Sequence, residues 1–326
     1  MRHLFTLAVL ALFASGCSTT TSTMISSDKD FYIVQASGQD NYSTLAEKYL
    51  GNSEMASVIQ RYNPSIDIMQ GSKIAIPKHN HNASSVFSNG YQQIPILCYH
   101  QFTDDDQDRS KMVVSKREFE EQMAYLKENN YQVVSLREVS AFLKGEQALP
   151  DNAVVITVDD GYRSYFEVAY PILKKYGFAS TMFVYPDFIG AGLALSWKQV
   201  KALEDDPLVD IESHSKSHDS LSIKPNGESE AKYNKRLKEE VETTDRIFKR
   251  RIGKRSLYFA YPYGNSSKQL VELLAKNNYA LAMTVKKGSN PSFASQYLLN
   301  RTMIYGKDSL STFKKSLKVF QESNLK

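Results

Sequence analysis

The 326-residue sequence has only two cysteines, Cys17 and Cys98, so a disulfide framework is excluded. Cys98 sits inside the apolar run Ile94 to Tyr99, the pattern of a buried strand residue, which argues against a bond between the two. An excess of one charge is also lacking. Forty Lys and Arg against 36 Asp and Glu leave +4, or +3 without the first sixteen residues, where Arg2 is the one charge. A strongly electrostatic nucleic-acid binder is thereby excluded as the leading reading. The apolar stretch Leu4 to Phe13 falls well short of the roughly 20 residues a permanent membrane helix needs. What the chain does have is core-forming material: 42% apolar and 23% charged residues exclude disorder, and the length implies two folded units. Twenty Tyr and 16 Phe against one Trp fit clefts that stack flat ligands such as sugars, although core packing accounts for them equally well.

Met1-Arg2-His3 is a short positive region, Leu4 to Phe13 an apolar one, and Ala14-Ser15-Gly16 places small residues directly before Cys17. Residues 1–16 read as a secretory signal, and the ending resembles a bacterial lipobox. That resemblance implies lipidation at Cys17 and a membrane-anchored lipoprotein; Ser18, rather than Asp, implies the outer membrane, facing the periplasm. The alternative is an ordinary signal cut nearby, with Cys17 left as a free thiol. Residues 17–30, rich in Ser and Thr, read as a flexible tether.

Between residues 31 and 77 the pattern is strand, two helices, strand: Phe31 to Val34, Tyr42 to Leu50, Met55 to Tyr62 and Ile74 to Pro77. Tyr32-Ile33-Val34, Leu45-Ala46, Tyr49-Leu50-Gly51, Asn63-Pro64 and the ending Gly71 to Pro77 resemble a LysM module. The resemblance implies binding to N-acetylglucosamine polymers such as peptidoglycan; a structural spacer is the alternative. Residues 78–90 are polar and unpatterned and read as a linker, in which His79 and His81 are solvated rather than metal ligands.

From residue 91 to 326 strand-like and helix-like segments alternate. Strands are read at Ile94 to Tyr99, Val154 to Val158, Thr181 to Tyr185, Val209 to Ser213, Ser256 to Tyr261 and Tyr279 to Val285. Helices are read at Lys116 to Asn129, Tyr165 to Tyr176, Trp197 to Glu204, Glu228 to Arg250, Lys268 to Asn277 and Ser309 to Glu322. The expected class is α/β, a distorted (β/α) barrel preceded by the small β-α-α-β domain. Active residues then belong at the carboxyl ends of the strands.

Two motifs sit at such ends. Val154 to Val158 runs into Asp159-Asp160-Gly161, two adjacent carboxylates whose repulsion a cation or a proton must resolve. Val209 to Ser213 runs into His214 and His218, an i, i+4 pair that a helical turn would bring to one side. With one carboxylate, two histidines form a facial metal site with open positions. Thr157 to Gly161, Tyr170 to Leu173, Ala179 to Phe183, His214 to His218 and Phe259 to Gly264 together resemble the polysaccharide deacetylases, the carbohydrate esterase family 4 or NodB-homology domain.

This resemblance implies a general base at Asp159 and metal ligation by Asp160, His214 and His218, with Zn²⁺ as the ion and Co²⁺, Ni²⁺ or Mn²⁺ as substitutes. Tyr263, in the Tyr261-Pro262-Tyr263-Gly264 turn, takes the role of the backbone N–H donor to the oxyanion. Leu97-Cys98-Tyr99-His100 resembles the early Tyr-His motif of the biofilm poly-N-acetylglucosamine deacetylases, which implies His100 as the acid for the leaving amine. The late histidine of other members is replaced by Asn300, and Ala260 stands where many carry an arginine beside the base. Arg301 is the candidate to replace that arginine, with a surface salt bridge as the alternative. Trp197 and Tyr261 are candidates to wall the sugar cleft. The leading expectation is an N-deacetylase acting on peptidoglycan or poly-N-acetylglucosamine; a sugar O-acetyl esterase and an inactive glycan-binding lipoprotein remain the alternatives.

Overall fold

The computed structural model describes residues 21–323 except 79–81, 83, 88 and 109. The signal segment 1–16, Cys17, His79 and His81 lie outside the described residues. The chain divides into two compact units, Met1–His81 and Asn82–Lys326.

In the smaller unit β1 (Thr23–Ser27), β2 (Phe31–Gln35) and β3 (Lys73–Pro77) form an antiparallel sheet in that order, with α1 (Tyr42–Leu50) and α2 (Ala56–Tyr62) between β2 and β3. Asn41 starts α1 through a capping box with Thr44, an arrangement worth about 1 kcal/mol. Leu45, Ala46 and Ile59 from the helices close over Val34, Ile74 and Ile76 from the sheet. The Asn63 side chain ties α2 to β3, donating to Ile59 O and Ala75 O and accepting from the Ala75 N–H. Residues 23–27 differ from the tether expected over 17–30. They pair with β2, but every β1 side chain is exposed, so no apolar alternation marks the strand in the sequence.

The larger unit begins β4 (Val86–Phe87), β5 (Gly90–Gln92), β6 (Ile94–Tyr99), β7 (Gln101–Thr103), β8 (Val113–Ser115), α3 (Lys116–Glu128), β9 (Gln132–Val133), α4 (Leu136–Leu143) and β10 (Ala153–Val158). It continues through α5 (Tyr170–Tyr176), β11 (Ser180–Val184), α6 (Trp197–Glu204), β12 (Val209–Ser213), α7 (Glu230–Arg251), β13 (Tyr258–Ala260), α8 (Lys268–Lys276) and β14 (Leu281–Met283). It closes with β15 (Ser289–Asn290), β16 (Thr302–Met303), α9 (Leu310–Lys315) and β17 (Phe320–Glu322).

Strands β6, β10, β11, β12, β13 and β14 lie side by side and parallel, which demands the helical crossovers between them. The sheet curls until residues 299–303 span its ends: Leu299 bridges Met283, while Thr302 and Met303 pair with Leu97 and Cys98. Both faces are covered, so β6 and β10 are buried at every position. Alternation then sorts the side chains. Ile94, Ile96, Val155, Phe183, Ala260, Met283 and Leu299 meet in one cluster, which draws on strands all around the sheet and is therefore its interior. Leu97, Tyr99, Val154, Ile156 and Val158 point the other way, against α3 and α5. Each large aliphatic buried in either layer stabilises by about 1.5–3 kcal/mol.

The barrel-like α/β expectation matches this architecture, with three local differences. The 78–90 linker contains β4 and the start of β5, which pair with each other and with β17. The last helix ends at Lys315 rather than Glu322, because Phe320–Glu322 joins β5 as a strand. β9 and α4 are absent from the sequence reading, and α4 contributes Leu136, Val139 and Phe142 to the interior.

Candidate active site

The period of two that buries Val155 also aims Thr157 and Asp159 inward. Asp159 keeps strand direction because its N–H bonds to Tyr99 O. Asp160 then adopts φ 78° and Gly161 φ 91°, and this left-handed step brings the second carboxylate to the same side instead of letting it alternate away. A Cβ on Gly161 would lie 2.9 Å from Ile189 Cδ1, so the turn requires glycine.

His214 leaves β12 with its Nδ1–H donating to Ala260 O at 2.8 Å, which fixes Nε2 as the free ring nitrogen. That Nε2 is 3.6 Å from Asp160 Oδ1, and His218 Nε2 is 3.5 Å from the same oxygen. The two histidines do not share a helical turn. Ser215 at φ 66° and His218 at φ 62° form an irregular loop that converges the rings, 4.7 Å apart at their centres. Glu240, buried on α7, holds this loop by accepting from the N–H groups of Lys216 and Ser217 and from the Ser217 hydroxyl. Ligand atoms of Asp160, His214 and His218 lie within 4.8 Å of one another. Two imidazoles and one carboxylate, one imidazole already oriented by a carbonyl, fit a divalent metal.

Burial and the negative charge of Asp159 push the Asp160 carboxyl up to about 7. Burial drives His214 down to about 3 and lowers His218, so both rings are neutral near pH 7. Below pH 7 a metal ion must therefore displace one proton, from Asp160. Affinity is expected to fall about tenfold per pH unit as pH drops below 7, and to level off above it. Competition with a chelator across pH measures this; a flat profile would contradict it.

Asp159 is engaged differently. Arg301, wholly buried on the 299–303 segment, donates from Nη1 to Oδ1 and from Nη2 to Oδ2, both at 2.7 Å. The same guanidinium donates to Thr284 O and Thr157 Oγ1 and lies over the Phe183 ring. Burial works to raise the Asp159 pKa, but the Arg301 charge and its hydrogen bonds lead the effects that outweigh it and hold the carboxyl well below its usual range. Arg301 is thus a buried partner of Asp159 and not a surface salt bridge.

His100 follows β6 on the interior side and lines the same cleft, of about 550 Å³, as Asp159, Asp160, His214, His218 and Tyr263. One of its ring nitrogens lies within 4.8 Å of an Asp159 oxygen, and its Nδ1 is buried without a hydrogen-bond partner among the described residues. Tyr263 sits at φ 58° with its ring edge-on to His218. Its neighbour Gly264, at φ 72°, has no room for a Cβ against Val285 N at 2.6 Å, which pins the turn.

One expected cleft residue is placed elsewhere. Trp197 packs on Phe248 under the Arg251 guanidinium, outside the cleft lining, because the start of α6 faces α7. Tyr261 is among the residues lining the cleft, but it is fully buried and its hydroxyl donates to Tyr297 O. Glu240 escaped the sequence reading, and Thr157 entered it only as part of the Thr157 to Gly161 motif. For Glu240 the available signal was an acidic residue within the stripe Tyr233, Leu237, Val241, Thr244 and Phe248 that α7 buries.

Residues 146–282 match the family described as polysaccharide deacetylase. A Bacillus subtilis protein named putative polysaccharide deacetylase YxkH is 29% identical over 213 residues, 65% of this chain and 71% of that protein. The poly-β-1,6-N-acetyl-D-glucosamine N-deacetylase of Escherichia coli K12 is 25% identical over 263 residues, which are 70% of this chain but only 39% of that longer protein. Among solved structures, the Streptococcus pyogenes deacetylase PplD in complex with acetate shares the fold with a TM-score of 0.61 at 23% identity, covering 69% of this chain and 98% of that one. His100 and Arg301 fall outside the residues matched, but the carboxylate pair and both histidines fall within the match to the polysaccharide deacetylase family.

Proposed function

We propose that this chain removes N-acetyl groups from N-acetylglucosamine residues of a polysaccharide, with a β-1,6-linked poly-N-acetylglucosamine as its polymer. The observation that carries the reading is the division of labour between adjacent carboxylates: Asp159 is held by Arg301, and Asp160 stands with His214 and His218 on the floor of one cleft. The polymer is suggested by curated relatives named poly-β-1,6-N-acetyl-D-glucosamine N-deacetylases in Escherichia coli and Staphylococcus epidermidis, and by the early histidine His100.

Asp160, His214 and His218 would hold the ion; zinc suits two imidazoles and a carboxylate, and cobalt, nickel or manganese would substitute. When bound, a divalent ion supplies Lewis acidity to the acetyl carbonyl and makes water more acidic at neutral pH. Asp159 takes the proton from the attacking water at a carboxylate oxygen, and Arg301 keeps it ionised for that purpose. The Tyr263 N–H, turned by its left-handed backbone, donates to the oxygen that becomes negative. His100 gives a proton to the departing amine, which is too basic to leave unassisted. The smaller unit is read as a glycan-holding module and Cys17 as the lipid anchor at the outer membrane, on the sequence patterns given above.

The test compares acetate release by the full chain carrying Cys17→Ser, loaded with zinc, from β-1,6-linked N-acetylglucosamine oligomers, purified peptidoglycan and an O-acetylated sugar. Preference for the first supports the reading. Preference for peptidoglycan or the ester would replace the substrate or the reaction.

A further inference from the structure

Cys98 is packed against the base, and the roles described so far do not use it. It lies on β6 at the position paired with Thr157 of β10 and Met303 of β16, with no exposed surface. Alternation along β6 puts its side chain on the interior side with Ile94, Ile96 and His100. Its Sγ is 3.5 Å from Asp159 Oδ2. Burial pushes the thiol well above its ordinary range, with Arg301 acting in the opposite direction, so the S–H donates and the carboxylate accepts.

The two oxygens of Asp159 are not equivalent. Oδ1 accepts from Arg301 Nη1, whereas Oδ2 accepts from Nη2 and is also the oxygen 3.8 Å from His214 Nε2. Oδ2 therefore faces the candidate metal ligands and is the oxygen placed to receive a proton. Arg301 grips the carboxylate from the 299–303 segment alone, and a single fork leaves the group free to rock about its bonded edge. A second contact from a different strand removes that freedom.

We propose that Cys98 is a positioning residue for Asp159, its thiol holding Oδ2 toward the metal ligands from β6 while Arg301 holds the carboxylate from the neighbouring 299–303 segment. A thiol suits the task because it is a weak donor: it fixes direction without competing strongly for the lone pair that takes the proton. The effect on turnover rests on Asp159 being the base of the deacetylase read above.

In the Cys17→Ser background Cys98 is the one remaining thiol. Cys98→Val preserves bulk and removes the donor, whereas Cys98→Ser preserves a donor. Cys98→Val is expected to lower kcat about tenfold with KM and metal affinity unchanged, and Cys98→Ser to return to within about threefold of the parent, since small misplacements of a reacting group cost rate rather than binding. Val equal to or better than Ser would show that Cys98 only fills space and would overturn the proposal. A second readout does not depend on catalysis. The infrared S–H stretch is expected below the frequency of an unbonded thiol and to move back toward it in Asp159→Asn; a band at the unbonded frequency in the parent would overturn the proposal. Absence of acetate release by the parent would sink the deacetylase reading, while the S–H band would still decide whether the thiol holds Asp159.

Discussion

Arg301→Met is expected to destabilise the protein by about 3–5 kcal/mol at neutral pH, because it leaves the Asp159 carboxylate buried and unpaired. The pair is fully desolvated and bidentate, so little of its effect is lost to solvent screening. Since Asp159 is held below the usual carboxylate range, the ion pair's contribution is fully present above the unfolded value of about 3.9 and is lost as pH falls through the folded value. The penalty of Arg301→Met should therefore shrink in acid. Asp159→Asn/Arg301→Met, which removes both charges, is expected to be less destabilised than the sum of the single variants. Urea denaturation at pH 7 and at pH 2.5 measures all of these. A loss under about 1 kcal/mol for Arg301→Met, or additivity in the double variant, would mean that the guanidinium and carboxylate are not coupled as the geometry indicates.

The second large effect concerns His100. His100→Ala is expected to lower kcat for N-acetylglucosamine oligomers by about 10²–10⁴-fold, the range for loss of a general acid from a reaction with a poor leaving group. The same variant should lose less than about tenfold on an aryl acetate ester, whose phenolate leaves without a proton. Burial outweighs the Asp159 charge and leaves the His100 pKa below its ordinary value, so the ring is neutral at pH 7 and has to take up the proton it donates during the reaction. Parallel losses on amide and ester would assign His100 a purely structural part, in line with its place at the end of β6. Retained activity on both would remove it from the mechanism.

Which of these features can be read in the sequence depends on the range of the interaction that creates them. Val154 to Val158 followed by two aspartates is a local pattern, and the strand, its end and the inward aim of Asp159 all follow from it. The ligand set was legible from residue type, but the loop that assembles it was not. An i, i+4 spacing suggests helix, whereas the left-handed backbone at Ser215 and the grip of Glu240 form the actual turn. Arg301 lies 142 positions from Asp159, so sequence alone could not choose between a buried and a surface pairing. The packing of Trp197 against Phe248 and Arg251 likewise depends on residues of α7, which no window around residue 197 contains. β1 was hidden for the opposite reason: it is local, but its side chains are all exposed, and hydrophobicity carries no record of a strand held by its backbone.

The central claim is that Asp159 is the base beside a metal held by Asp160, His214 and His218. Its most direct test measures bound zinc and acetate release together, in the full chain carrying Cys17→Ser and in the same chain with Asp159→Asn. The account predicts about one zinc per chain in both proteins, with acetate released from N-acetylglucosamine oligomers by the first and a loss of about 10²–10⁴-fold in the second. Zinc bound by both with equal acetate release, or no release by either, would contradict it.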